Sequence, residues 1–239
     1  MPNVQMLTPS AHQTTNNTLS VTRNILQSPG DLILIFVYSW TNAITFAPAG
    51  FTKLGEAGTG ASTMTAWWKI AGSSEPTSYA FTFAGTGNHM AFNVTLRGAD
   101  PTRPIAGHSE VYYEEQPKRS PGTAVYPIPT KMPAGGVELR VCGSGVNSST
   151  ASWTWPAGVT EYLDTRTSSG YRYMTLAGNT DLPPTQSIPQ LTPTFSNSTP
   201  TYNAGITVLV RPRRRGMIED LSRGFLLGWD DLEFRLTPP

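Results

Sequence analysis

The chain has little of what most catalytic and metal-binding proteins depend on. It has one cysteine, Cys142, so no internal disulfide can form, and stability must come from buried area and backbone hydrogen bonding. Histidine occurs three times, at His12, His89 and His108. None of them sits in a GxSxG or HExxH context, so neither a hydrolase nor a zinc-protease signature is present. Only 14% of residues are charged and the formal net charge is +1, too weak a field to mark a nucleic-acid binder. The longest apolar run, Leu32 to Tyr38, falls far short of the roughly 20 residues that span a bilayer and reads as a core strand. The opening MPNVQMLTPSAHQ lacks a basic n-region and an apolar h-region, so no Sec-type export is expected.

What the chain has in quantity is turn residues and alternating apolar runs. Its 22 glycines and 21 prolines suit many strands joined by tight turns. Leu19 and Val21 alternate with Ser20 and Thr22, and Tyr79, Phe81 and Phe83 alternate with Ala80, Thr82 and Ala84, which is strand spacing. Leu32 to Val37 is apolar at both parities and predicts a strand buried on both faces. Val137, Leu139 and Val141 alternate with Glu138, Arg140 and Cys142, which predicts a strand with one wet face. Leu34, Phe36, Phe81, Phe83, Leu139, Val141 and Leu209 are the expected core.

These runs recur in order. Pro48-Ala49-Gly50-Phe51-Thr52 returns as Pro156-Ala157-Gly158-Val159-Thr160, a corner in which proline cannot donate to a ladder and glycine tolerates positive φ. Around it, TLSV (Thr18 to Val21) answers TAVY (Thr123 to Tyr126), and GDLILIFV (Gly30 to Val37) answers GGVELRVC (Gly135 to Cys142). TAWWKIAG (Thr65 to Gly72) answers YRYMTLAG (Tyr171 to Gly178), and AFNVTLRG (Ala91 to Gly98) answers AGITVLVRP (Ala204 to Pro212). Residues 18–212 are therefore expected to form an all-β sandwich, jelly-roll-like, built from two pseudo-repeated halves, 18–98 and 123–212. A charged connector, 99–122, joins them. Residues 1–17 read as an irregular lead-in. Residues 179–203, with five prolines and almost no charge, read as a solvated insertion or a binding loop.

After Arg211-Pro212-Arg213-Arg214-Arg215 the composition changes. Met217, Ile218 and Leu221 fit one short helical face closed by Gly224, and Leu232, Phe234 and Leu236 alternate as a strand does. Together with Phe225, Leu226, Leu227 and Trp229 they are too few to build a core and imply a partner surface, so 213–239 is expected to be a linker and docking arm.

Weaker signals carry less. Glu114 and Glu115 are adjacent and point to opposite faces of a strand, unlike a glycosidase carboxylate pair. His89 and His108 with Asp100 or Glu110 lack paired-ligand spacing and read as loop residues. Cys142 reads as a small buried hydrophobe. Sequons stand at Asn16, Asn93, Asn147 and Asn197. Trp67, Trp68, Trp153 and Trp155 suit core and rim packing before a sugar platform. No cofactor, metal, nucleic acid or membrane is implied.

The order GDLILIFV, PAGFTKL, AWWKIAGSSEP, SYAFTFAGTGNHMAFNVTLRGADPTRPI, TWPAGVTEYLD and ITVLVRP resembles the minor tail proteins and related virion structural proteins of tailed phages infecting actinobacteria. The resemblance covers 18–212 and implies a jelly-roll-like, non-enzymatic virion component, made in the host cytoplasm. Its partners are other virion proteins and further copies of itself, with no catalytic residue to carry over. The alternative expectation is a carbohydrate-binding or host-surface adhesin module.

Overall fold

The computed structural model describes residues 3–40, 43–59, 62–109, 112–115, 134–145, 150–167, 172–183, 188–196 and 202–213. Among these the chain is all-β, with no helix. The expected repeat TAVY at 123–126 and the arm beyond Arg213, with its short helix and strand, lie outside the described residues.

The first part of the chain gives β1 (Gln5–Met6), β2 (Ser10–Thr14), β3 (Thr18–Thr22), β4 (Leu32–Trp40), β5 (Ile44–Phe46), β6 (Thr52–Thr59), β7 (Ser62–Ile70), β8 (Ser78–Phe83) and β9 (His89–Arg97). The second gives β10 (Ile105–His108), β11 (Tyr112–Glu115), β12 (Gly136–Gly145), β13 (Trp153–Thr154), β14 (Thr160–Arg166), β15 (Arg172–Leu182), β16 (Thr194–Phe195) and β17 (Tyr202–Val210). One six-stranded antiparallel sheet runs β1-β9-β4-β7-β6 with β2 also on β9; the other runs β10-β17-β12-β15-β14 with β11 also on β17. Smaller sheets, β3-β8-β5 and β13-β16, complete the fold.

The two large sheets share the central core. Leu32, Leu34, Phe36 and Tyr38 of β4, with the inward residues of β7 and β9, pack on Val137, Leu139, Val141, Met174, Leu176, Ile206 and Val208. The opposite face of β4, Ile33, Ile35 and Val37, packs on Leu19, Val21, Tyr79, Phe81 and Phe83 of the three-stranded sheet. On the far side, Cys142 and Tyr173 pack on Trp153 and Phe195 of the two-stranded sheet. The result is a layered β-sandwich in which both large sheets lie inside, and all seven expected core residues are buried.

The two PAG corners are built alike. Gly50 and Gly158 hold φ of 81° and 101°, a region glycine occupies without Cβ strain. Thr52 then pairs with Trp68 and Thr160 with Gly178, and each strand bulges next, between Lys53 and Gly55 and between Glu161 and Leu163. Since Leu34 also pairs with Trp68 and Leu139 with Gly178, Trp68 and Gly178 take corresponding places. Matching TAWWKIAG to YRYMTLAG by their Ala-Gly endings is therefore out of register by four residues. An even slip leaves every side chain on its proper face, so apolar pattern alone does not detect it.

Other expectations are corrected. The lead-in contains β1 and β2, and the connector contains β10 and β11, all pairing on the outer side of β9 or β17. These strands are short, and in β1 and β2 polar residues predominate, so backbone pairing holds them with little apolar signal. Residues 188–196 are no simple solvated insertion: Ile188 is buried against Leu209, and Phe195 against Trp153. The wet face expected on β12 is absent, because Glu138 and Arg140 are 3% and 0% exposed. They pair with each other, Asn179 donates to Glu138, and Arg140 donates to the Pro189 carbonyl at 2.7 Å, so the buried charges are matched.

Candidate functional site

The proposed partner-binding residues Met217, Ile218, Leu221, Phe225, Leu226, Leu227, Trp229, Leu232, Phe234 and Leu236 lie outside the described residues, but the point from which they depart is described. Arg211 donates its backbone N–H to the Pro104 carbonyl at 2.7 Å, Pro212 bridges Ala99, and Arg213 donates to the Gly98 carbonyl at 2.8 Å. Asp100 returns a backbone bond to the Arg211 carbonyl, and its carboxylate caps the turn by accepting from Thr102 and Arg103. Burial would raise the Asp100 carboxyl, but these donors and the nearby Arg211 charge bring it below its ordinary value. The chain is therefore held at a fixed base up to Arg213.

A second feature lies at the same end. Between β3 and β4 the chain turns at Asn24, whose side chain accepts from the Leu26 N–H and donates to the Thr8 carbonyl, each at 2.9 Å. This turn holds Ile25 and Leu26 outward, 91% and 59% exposed. Arg97 fixes the other side. It donates to the Leu26 carbonyl at 2.7 Å while ion-paired with Asp31. Arg97 holds the apolar tip and its neighbour Gly98 receives Arg213, so tip and chain exit share one end of the molecule. Sequence reasoning missed this tip: two apolar residues after Asn24 give no periodic signal, and their exposure depends on hydrogen bonds to residues 16 and 71 positions away.

The aromatic cluster around the first PAG corner is locked rather than open. Lys69 Nζ lies 5.5 Å from the Phe51 ring centroid and 5.8 Å from that of Tyr79. Glu75 accepts from the Gly72 N–H at 2.7 Å, from Lys69 at 2.9 Å and from the Tyr79 hydroxyl at 3.0 Å. Burial would raise the Glu75 carboxyl, but these three donors together lower it. Burial pushes the Tyr79 phenol up to about 12. An acceptor so fully used holds the corner in place and is poorly suited to general acid or base work. Trp67 stacks edge-on against Phe81 and Trp153 is buried, as core and rim packing requires.

Of the histidines, His89 is not in a loop. It lies within β9, 0% exposed, with Nδ1 at 2.8 Å from the Ser39 hydroxyl and its ring stacked on Phe83 at 3.7 Å. A hydroxyl beside an imidazole is the geometry of a nucleophile and its base, but both are enclosed by the sandwich and out of substrate's reach. Burial pushes His89 down to about 4. His12 and His108 lie in β2 and β10. Burial pushes the Cys142 thiol well above its ordinary range, as expected of a small core residue. Asn93 is 1% exposed and donates to the Thr22 carbonyl, so this sequon offers no glycan acceptor in the folded chain. Among the described residues no three His, Cys, Asp or Glu side chains converge as a metal site.

Comparison with protein-family models, with curated proteins and with solved structures finds no match for this chain.

Proposed function

We propose that this chain is a non-enzymatic structural protein of a phage particle, a minor tail or decorating subunit that assembles through protein–protein contacts made at one end of its sandwich. The observation that carries the reading is the hydrogen-bonded, exposed Ile25–Leu26 tip beside the bonded segment Arg211–Arg213. Apolar side chains held in water by a fixed turn lose no loop entropy on docking, and burying each contributes roughly 1.5–3 kcal/mol. The sequence resemblance to phage tail proteins supports the same reading, as does the apolar content of residues 217–236. We further read the first half by itself as a jelly roll, where the sequence led us to expect one jelly-roll-like sandwich over both halves. The order β2-β9-β4-β7 facing β3-β8-β5 is that of an eight-stranded double Greek key whose last strand, β6, pairs with β7 instead of joining the smaller sheet.

The test is the variant Ile25→Ser/Leu26→Ser, expressed in place of the natural chain during phage growth. It is expected to unfold at the wild-type temperature and to be depleted from purified particles, where labelling of the unaltered chain gives a signal. Normal incorporation of the variant, or absence of the natural chain from particles, contradicts the proposal. Binding to cell-wall glycans by a chain that particles do not carry favours the adhesin alternative.

A further inference from the structure

The packing between the two large sheets repeats itself when the halves are exchanged. Strand for strand, β9-β4-β7-β6 corresponds to β17-β12-β15-β14, with β2 matching β11. Across the central core β4 lies on β12; β9 lies on β15 while β7 lies on β17; and β2 lies on β14 while β6 lies on β11. Replacing every strand by its counterpart returns the same set of contacts, with β4 and β12 exchanging places. That is the signature of an isologous interface, in which one surface meets a copy of itself across a twofold axis. The finer geometry agrees. The amides of Gly30 and Gly135, both at positive φ, donate to carbonyls at the end of the strand paired with their own, Ala71 and Leu182.

We infer that the contact between the halves is a homodimer interface contained within one chain, with its pseudo-twofold axis passing near Tyr38 and Gly143. These two residues correspond, each lying four positions beyond the matched pair Leu34 and Leu139. They also meet: a Cβ on Gly143 would sit 3.0 Å from the Tyr38 ring and 3.1 Å from the Met64 methyl, so the missing side chain of one makes room for the ring of the other. A true homodimer places the same residue on both sides of its axis, and two rings would compete for this space. A fused pair is free to place a ring on one side and glycine on the other. The partner this surface fits is thus the other half of the same chain, and the ring–glycine pair gives that fit its handedness.

The full-length chain tests this by exchange. Gly143→Tyr alone, which sets two rings together, and Tyr38→Gly alone, which leaves a void, are both expected to lower the unfolding temperature. The double variant Tyr38→Gly/Gly143→Tyr moves the ring across the axis and is expected to unfold above Gly143→Tyr. A gentler exchange of corresponding core residues, Phe36→Val/Val141→Phe, conserves volume and is expected to unfold above Phe36→Val. If either double variant unfolds at or below the lower of its two single variants, or fails to fold where a single variant folds, the axis is not there.

Discussion

The two large sheets differ most on the faces they turn away from each other. Along β4, Ile33, Ile35 and Val37 meet the apolar underside of β3-β8-β5. The corresponding positions on β12 hold Glu138, Arg140 and Cys142, covered in part by the segment that carries Pro189. The inward faces, by contrast, keep one character: Leu32, Leu34 and Phe36 on one side, Val137, Leu139 and Val141 on the other. A surface that must fit its counterpart is constrained on both sides at once. An outer face answers only to its own cover, and a buried ion pair held by further hydrogen bonds to Asn179 and Pro189 stands there in place of two aliphatic side chains.

The largest effect is expected in the outer layer of the first half. Phe81→Ala removes a fully buried ring from the outer layer and is expected to cost about 3–5 kcal/mol by denaturant unfolding; a loss under about 1 kcal/mol would show that this layer does not seal β4. In the second half, Glu138→Leu strands the buried Arg140 charge and is expected to cost on the order of 3 kcal/mol. Adding Arg140→Ile, which gives β12 the aliphatic character of β4, is expected to recover most of that loss. A double variant as unstable as the single one would mean that the two outer faces are not interchangeable.

A third measurement uses pH. His89 is held near 4 in the fold against 6.5 for the ordinary side chain, so between these values the unfolded chain binds a proton that the folded chain refuses. Stability is therefore full above about pH 6.5 and falls as pH drops toward 4, by up to about 3 kcal/mol from this group. The difference in stability between wild type and His89→Gln should shrink across that window, and a constant difference would contradict it. The smallest effect is expected at the exposed Lys53–Glu56 pair, where Lys53→Ala should change stability by less than about 0.5 kcal/mol, and added salt should shrink even that.

Much of this architecture is legible in the residues, and the exceptions have physical reasons. The all-β class, the buried Leu32–Val37 strand and the Tyr79–Phe83 alternation follow from apolar spacing, and burial of the expected core agrees with it. Strands β2, β10 and β11 are held on the outer side of β9 and β17 by backbone hydrogen bonds, which do not depend on side-chain pattern. Glu138 and Arg140 read as solvated because charge ordinarily means surface, and only a tertiary partner reverses that. The Ile25–Leu26 tip was illegible because its exposure is set by Thr8 and Arg97, which are distant in sequence.

The proposed function requires the exit end of the sandwich to attach it to a phage particle. The most direct measurement compares the full chain with one ending at Arg213, which retains every described hydrogen bond at the exit. The shortened chain is expected to unfold at the wild-type temperature and to be missing from purified particles. Normal incorporation of the shortened chain, or its unfolding for want of the lost segment, would contradict it.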